Sequence, residues 1–347
     1  MKVALITDTH YGARNDSGVF ADFMREFYTN VFFPHLKDNN ITKCIHLGDV
    51  FDRRKYINYK SLFECKDYFF DPLAKAGIDT LMIAGNHDTF YKTTNQVNSV
   101  KLLLNEYSNI QTFDAPTEID NCLLLPWICK DNYEQSMNVI KNTKEQVVFG
   151  HLEVDGFEAH AGYFHDGGLD KKIFDRFDMV MSGHFHHKSD NGTIYYLGNP
   201  YELTWQDYKD QKGFHVFDTE TRDLQFIPNP YTMFHKYVYN DINFTIEDVE
   251  QLSFDYVNNK YIKIIVQDKT NPYLFDLLMD KVYKSNPFDI SVVENYIDIV
   301  ADEEIIDEAQ DTLTILSNYI DQMNTDVNKK KLDGLVKNLY TEALTVE

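Results

Sequence analysis

The sequence predicts an α/β fold with a largely parallel sheet, followed by a smaller α/β unit and C-terminal helices. Three observations predict it. Short apolar runs recur through the first half of the chain, and amphipathic helical stretches separate the first three. Strands alternating with helices build βαβ units, whose strands run parallel. Each run ends in a polar cluster of Asp, Asn or His, and in such sheets ligands bind outside the carboxyl ends of the strands.

In chain order, "KVALITDTH" reads as a strand ending at Asp8 and His10. Residues 19–37 place Phe20, Phe23, Met24, Phe27, Val31 and Phe32 at helical spacing. "KCIHLGD" is a strand ending at Asp49, and residues 59–76 predict a second helix on Leu62, Phe63, Tyr68, Phe69 and Leu73. "DTLMIAGNHD" ends at Asn86 and His87, "EQVVFGH" at His151, and "DMVMSGHFH" at His184 and His186. "KGFHVFDTETRDLQFIPNP" reads as two strands turning around Thr219–Thr221, and Pro228 and Pro230 mark a boundary. Beyond it, "HKYVYNDINF", "KYIKIIVQD" and "DISVVENYI" predict strands, with a helix at 272–284 between the last two. The acidic run "DEEIIDEAQD" (302–311) reads as a solvated linker. Two amphipathic stretches follow, one on Leu313, Leu316, Ile320 and Met323, the other on Leu332, Leu335, Val336, Leu339 and Tyr340. The expected units are 1–232, 233–301 and 302–347.

Composition narrows the classes. At 347 residues and 43% hydrophobic content the chain suits a large domain with a smaller one attached. No apolar run approaches ~18 residues, so no membrane span is expected. The N-terminus reads as a first strand rather than a signal peptide. Cys44, Cys65, Cys122 and Cys129 show no framework spacing, which suits a reduced, cytosolic protein. The formal net charge of −22 argues against a chain that coats nucleic acid unaided. It is compatible with a metal enzyme, whose cations supply local positive charge.

The strand ends collect Asp8, His10, Asp49, Asn86, His87, His151, His184 and His186. In D-x-H and H-x-H the paired residues, two apart in extended chain, point to the same side. Carboxylate, imidazole and amide oxygen form a mixed set that suits Mn, Fe, Zn or Ni and disfavours a thiolate site. The candidates are too many for one ion. Two ions sharing a carboxylate would use them, and two metals ~3.5–4 Å apart recur in phosphoester hydrolysis.

The series "DTH" (8–10), "GDVFD" (48–52), "GNHD" (85–88), "GH" (150–151) and "GHFH" (183–186) resembles, in that order, the signature of calcineurin-like metallophosphoesterases. The resemblance covers roughly residues 1–230. It implies a two-sheet αββα core, a small α/β capping domain and C-terminal helices. It implies a first metal on Asp8, His10, Asp49 and His186, and a second on Asp49, Asn86, His151 and His184. Of the three histidines in "SGHFHH", His187 is then the one that is not a ligand. The same resemblance makes His87 the catalytic residue that stabilises or protonates the leaving oxygen, with Asp88 orienting its imidazole.

"GHLEVDGF" and "YLGNPYELTW" resemble segments of SbcD-type double-strand-break repair nucleases, particularly the recombination nuclease subunits of tailed phages. That resemblance implies a metal-dependent DNA exonuclease and endonuclease in the cytoplasm, the host's for a phage-encoded chain. It implies an SbcC-type ABC ATPase partner, met by the C-terminal helices, and a homodimer within a heterotetramer. The imidazole-rich ligand set favours Mn2+ over Mg2+. Arg53, Arg54 and Lys55 follow one ligand and Tyr91 and Lys92 another, which marks them as DNA phosphate contacts. Some cellular members carry His where this chain has Asp52, so no catalytic role is carried to that position. Two rival readings are a stand-alone phosphodiesterase acting on a small nucleotide and a non-catalytic scaffold, but a scaffold should show ligand losses and none appears. His160 and His165 are expected on a surface loop, His46 packed within its strand, and Trp127 in the core.

Overall fold

The computed structural model describes residues 1–294 and, beyond them, Ile320, Lys329, Leu332, Leu335 and Val336. The acidic linker and the bulk of the two C-terminal stripes lie outside the described residues.

Two six-stranded sheets face each other. The first runs, edge to edge, Leu224–Pro228, Gly213–Asp218, Lys2–Ile6, Lys43–His46, Asp79–Ile83 and Ile110–Phe113. Its last four strands are parallel, while the hairpin 213–228 lies antiparallel to Lys2–Ile6. The second runs Ser189–Asp190, Ile194–Tyr196, Met179–Gly183, Val147–His151, Cys122–Leu125 and Thr117–Ile119, parallel at its centre and antiparallel at both edges.

Period-2 alternation assigns each strand's two faces. Val3 and Leu5 enter the layer between the sheets, while Ala4 and Ile6 pack beneath helices. On the second sheet Val147, Phe149, Met179 and Met181 enter the shared layer, and Val148 and Val180 face outward onto Ile140 of the helix Tyr133–Asn142. The layers are therefore helix, sheet, sheet, helix. Buried Phe and Leu side chains each contribute roughly 1.5–3 kcal/mol by leaving water.

Both long helices carry a departure that periodicity does not show. Gly18–Phe27 passes through a widened π turn, Tyr28–Phe32, into Phe33–Asp38. Tyr59–Cys65 does the same through Lys66–Phe70 into Asp71–Lys75. Pro34 and Pro72 follow these turns. A proline offers no N–H and crowds the carbonyl four residues back, and a wider turn before it relieves that conflict while the helix continues.

The three strands Phe234–Asn240, Tyr261–Asp268 and Asp289–Val293 form a separate parallel sheet. The helix Pro272–Lys284 buries Leu274, Phe275, Leu278 and Val282 in its core. This unit is tied to the two-sheet body at its first strand. Phe234 packs on Phe20 and Trp205, and buried Glu202 accepts hydrogen bonds from the backbone N–H groups of Met233 (2.6 Å) and Phe234 (2.9 Å).

Burial pushes the Glu202 carboxyl up to about 7 from an ordinary 4.5, against the opposing pull of those two N–H groups. The folded chain thus holds a proton that the unfolded chain releases, and Glu202 weakens folding progressively as pH rises through that window. Glu202→Gln keeps an acceptor and removes the titration. Its stability relative to the parent should rise by ~1–3 kcal/mol between acid and neutral pH, read by urea melts across the window. A pH-independent difference would contradict the burial argument.

Candidate metal centre

The eight strand-end residues converge at one end of the two sheets. The local backbone that brings them there is not extended. Asp8 (φ 51°), His10 (φ 44°), Asp49 (φ 52°) and His184 (φ 87°) all take left-handed conformations just beyond their strands. The expected D-x-H geometry is corrected accordingly: Asp8 and His10 share a side because the chain coils, not because it alternates. Such conformations cost about 1–3 kcal/mol each and persist where the surroundings over-determine them. Here the loops lace together: the N–H groups of Asp8, His10 and Tyr11 donate to the carbonyls of Gly48 (3.0 Å), Asp49 (3.1 Å) and Val50 (2.8 Å). The Tyr201 hydroxyl donates to the Thr9 carbonyl (2.6 Å) between two ligands. His184 N–H donates to both Asp8 oxygens, at 3.1 Å each. Two glycines permit this crowding. A Cβ on Gly85 would overlap Asp49, and one on Gly183 would overlap Thr7 and Asp8.

Among the described residues, two groups have donor atoms within 4.8 Å of one another: Asp8, His10 and His186, and Asp49, His151 and His184. The Nε2 atoms of His10 and His186 face each other at 3.1 Å. Asn86 Oδ1 lies 2.9 Å from both His151 Nε2 and His184 Nδ1. Asp49 Oδ2 stands between the groups, 3.3 Å from His151 Nε2 and 3.9 Å from His10 Nε2. His151 Nδ1 donates to the Leu47 carbonyl (2.7 Å), which turns Nε2 to the centre. Imidazole nitrogens and carboxylate oxygens aimed at shared points, with no thiolate, fit two cations of the transition series.

The charges are mutually dependent. Burial opposes ionisation of Asp49, yet the imidazoles of His151, His87 and His10 hold its carboxyl well below the usual range. Burial pushes Asp8 up, helped by the charge on Asp49. Burial works against protonation of His10 and His151, but the carboxylates of Asp52, Asp49 and Asp8 raise His10 to about 10, and Asp49 and Asp8 raise His151 to about 9. Burial, with His151 and His10 as neighbours, drives His184 and His186 well below the ordinary value.

His87 opens toward solvent at the edge of this cluster. Its backbone N–H donates to Asp49 Oδ1 (2.7 Å), and its Nδ1 donates to the Asp52 carbonyl (2.6 Å). The expectation that Asp88 orients His87 is therefore corrected. The buried Asp88 carboxylate is spent on the backbone N–H groups of Val50 (3.0 Å), Phe51 (3.3 Å) and Gly85 (2.9 Å), so it braces the two loops that carry Asp49 and Asn86. Asp52, given no role from sequence, also places its Oδ1 3.5 Å from His10 Nδ1.

The basic residues separate. Arg53 is engaged by Asp16 (2.7 Å) and Asn15 (2.6 Å), so it is not open to a phosphate as expected. Half-buried Arg54 stands near Asp49 and Asp88, with its Nη1 buried and without a hydrogen-bond partner. Lys55, Tyr91 and Lys92 are exposed. His187 turns away to pair with Glu158 and Asp210, each at 3.1 Å. His165 pairs with Glu153 (2.9 Å), and buried His46 meets Thr9 Oγ1 (3.0 Å) behind the centre. Trp127, expected in the core, is half-buried with its ring 5.1 Å from that of His184. Sequence reading missed Lys212. Buried against Asp207 (2.6 Å) and Asp210 (2.7 Å), it donates to the carbonyl of His186 (2.8 Å) from 26 residues away, with no motif to announce it.

Residues 1–188 match the family described as calcineurin-like phosphoesterase. The chain belongs to the calcineurin-like phosphoesterases. It is 31% identical to exonuclease subunit 1 of Enterobacteria phage T4, over 99% of each chain. It is 23% identical to the SbcD component of the nuclease SbcCD from Staphylococcus epidermidis, over the whole of both. Its place within the calcineurin-like phosphoesterases is among the SbcD-type nucleases, and its class is metal-dependent phosphodiesterase. No described helix is long and apolar enough to cross a membrane.

Ligand nitrogens must be free of protons when they bind a cation. His10 and His151 are raised to about 10 and about 9, so near neutral pH each carries a proton that a metal bound there would have to displace. Loading this calcineurin-like centre with Mn2+ should release about two protons, and affinity should strengthen as pH rises toward 9. Calorimetric titration in buffers of differing ionisation enthalpy reads this directly. Loading without proton release would contradict the electrostatics described.

Proposed function

We propose that this chain is the nuclease subunit of a DNA recombination and double-strand-break repair complex, hydrolysing phosphodiesters with two transition-metal ions, Mn2+ by preference. The observation that carries the reading is Asp49, placed within reach of both donor groups. When bound, the two ions supply Lewis-acid activation of water and neutralise charge on the phosphoryl oxygens.

The chain's own residues do the rest. Asp8, His10, Asp49 and His186 would hold one ion, and Asp49, Asn86, His151 and His184 the other. With Nδ1 fixed on the Asp52 carbonyl, His87 has Nε2 left to give a proton to the leaving oxygen. Half-buried Arg54, near Asp49 and Asp88, suits a phosphate oxygen. Lys55, Tyr91 and Lys92 suit the flanking backbone of the DNA.

The partners follow from the relatives, which carry names of complex subunits. An SbcC-type ABC ATPase fits this chain for an electrostatic reason also. A net charge of −22 repels DNA, so a partner with a basic surface would retain it. The second copy of a homodimer would have apolar surface to meet: Tyr59 and Phe63 on one helix and Leu102 on another are exposed by 89%, 71% and 65%. The complex would act in the cytoplasm, the host's for a phage-encoded chain.

Two substitutions separate binding from chemistry. Asp49→Ala should lose most bound metal, since both ions share that carboxylate. His87→Ala should keep metal, measured by elemental analysis, while cleavage of linear DNA in Mn2+ falls on the order of a hundredfold or more. Equal metal loss in both variants would overturn the assignment.

A further inference from the structure

Behind the segment that carries His184 and His186 lies a recess that the hydrolytic machinery does not use. A hairpin, Glu158–His160 and Tyr163–Phe164, docks on the segment that carries His184 and His186. His187 N–H donates to the Ala159 carbonyl (3.4 Å), His187 Nε2 pairs with Glu158, and the His165 ring packs 5.2 Å from Phe185, between the two ligands. On one side of the hairpin Tyr163 lies near His160, with ring centroids 6.2 Å apart. On the other a recess of about 390 Å3 opens between the hairpin and residues 187–191. Phe157, Phe164, His187, Lys171 and Lys188 line it.

We propose that this recess binds an unpaired nucleotide at the end of a DNA substrate, its base against Phe164 and its phosphate between Lys171 and Lys188. The proposal rests on the nuclease reading and names what that site accepts. The recess is of nucleotide size, at the lower end of the usual range for small-ligand sites. Phe164 is 62% exposed at the wall of the recess, and aromatic faces of this kind stack bases regardless of sequence. Lys171 and Lys188 form no ion pair among the described residues, in a chain whose acids greatly outnumber its bases. Lys188 rests instead over the Phe226 ring, and no carboxylate closes on it as an ion pair. Of the two carboxylates at the rim, Glu158 is matched by His187, and Lys188 feels both Asp190 and Asp210, the latter already engaged by His187 and Lys212. A base stacked within a duplex has both faces covered, so this wall is open only to a base that has left the stack.

The test uses full-length protein with Mn2+ and DNA carrying a short unpaired tail, its terminal nucleotide either intact or abasic. Parent protein should cleave the intact tail roughly tenfold faster than the abasic one, the size expected of one stacked base. Phe164→Ala should lose that preference, and Phe164→Trp should keep it. A 2-aminopurine at the terminal position should be quenched on binding by the parent and by Phe164→Trp, but not by Phe164→Ala. Parent protein indifferent to the missing base, or a Phe164→Ala defect of equal size on both tails, overturns the recess proposal alone. Parent protein that cleaves no DNA at all overturns the nuclease reading, and the recess falls with it.

Discussion

A buried carboxylate between imidazoles is the constraint on which the structure depends. Asp49 sits where two sheets meet, in a left-handed backbone conformation, with His151 on one side and His10 on the other. An unpaired buried charge is expensive. This one is made tolerable by neighbours that are themselves buried and shifted in response: His10 and His151 upward, His184 and His186 downward. On the proposed assignment, two divalent cations would relieve these groups together, replacing the protons on His10 and His151 and drawing on the lone pairs of His184 and His186.

The fold serves that arrangement. The parallel cores of the two sheets deliver their strand ends to one edge, and the layer between them fixes the spacing. Loops too short to wander then take left-handed turns, each locked by hydrogen bonds to the neighbouring loop. Asp88 shows how far this goes. A carboxylate in the centre of the signature is spent on holding backbone N–H groups at Val50, Phe51 and Gly85, so the site's precision rests on a residue engaged in bracing its loops.

Much of this was legible in the sequence, for physical reasons that differ by residue. The strands were, because Val3, Leu5, Val147 and Phe149 alternate with residues bound for the other face. The convergence of the candidate ligands was, because Asp, Asn and His at successive strand ends share one chemistry, and the motif resemblance grouped them. The roles of Asp88 and Arg53 were not, since they depend on Phe51 and Gly85 for one and on Asp16 and Asn15 for the other. Lys212 was invisible for the same reason: it reaches the His186 carbonyl only once the strand that follows it, Gly213–Asp218, is in place. The helical period held for Gly18–Asp38 but concealed the widened turn ahead of Pro34.

The central claim is that Asp49 is shared by two ions. Crystals of the chain soaked in Mn2+ and measured at the manganese absorption edge test it most directly. The account predicts two anomalous peaks ~3.5–4 Å apart with an Asp49 oxygen between them. A single peak, or two peaks of which only one contacts Asp49, would contradict it.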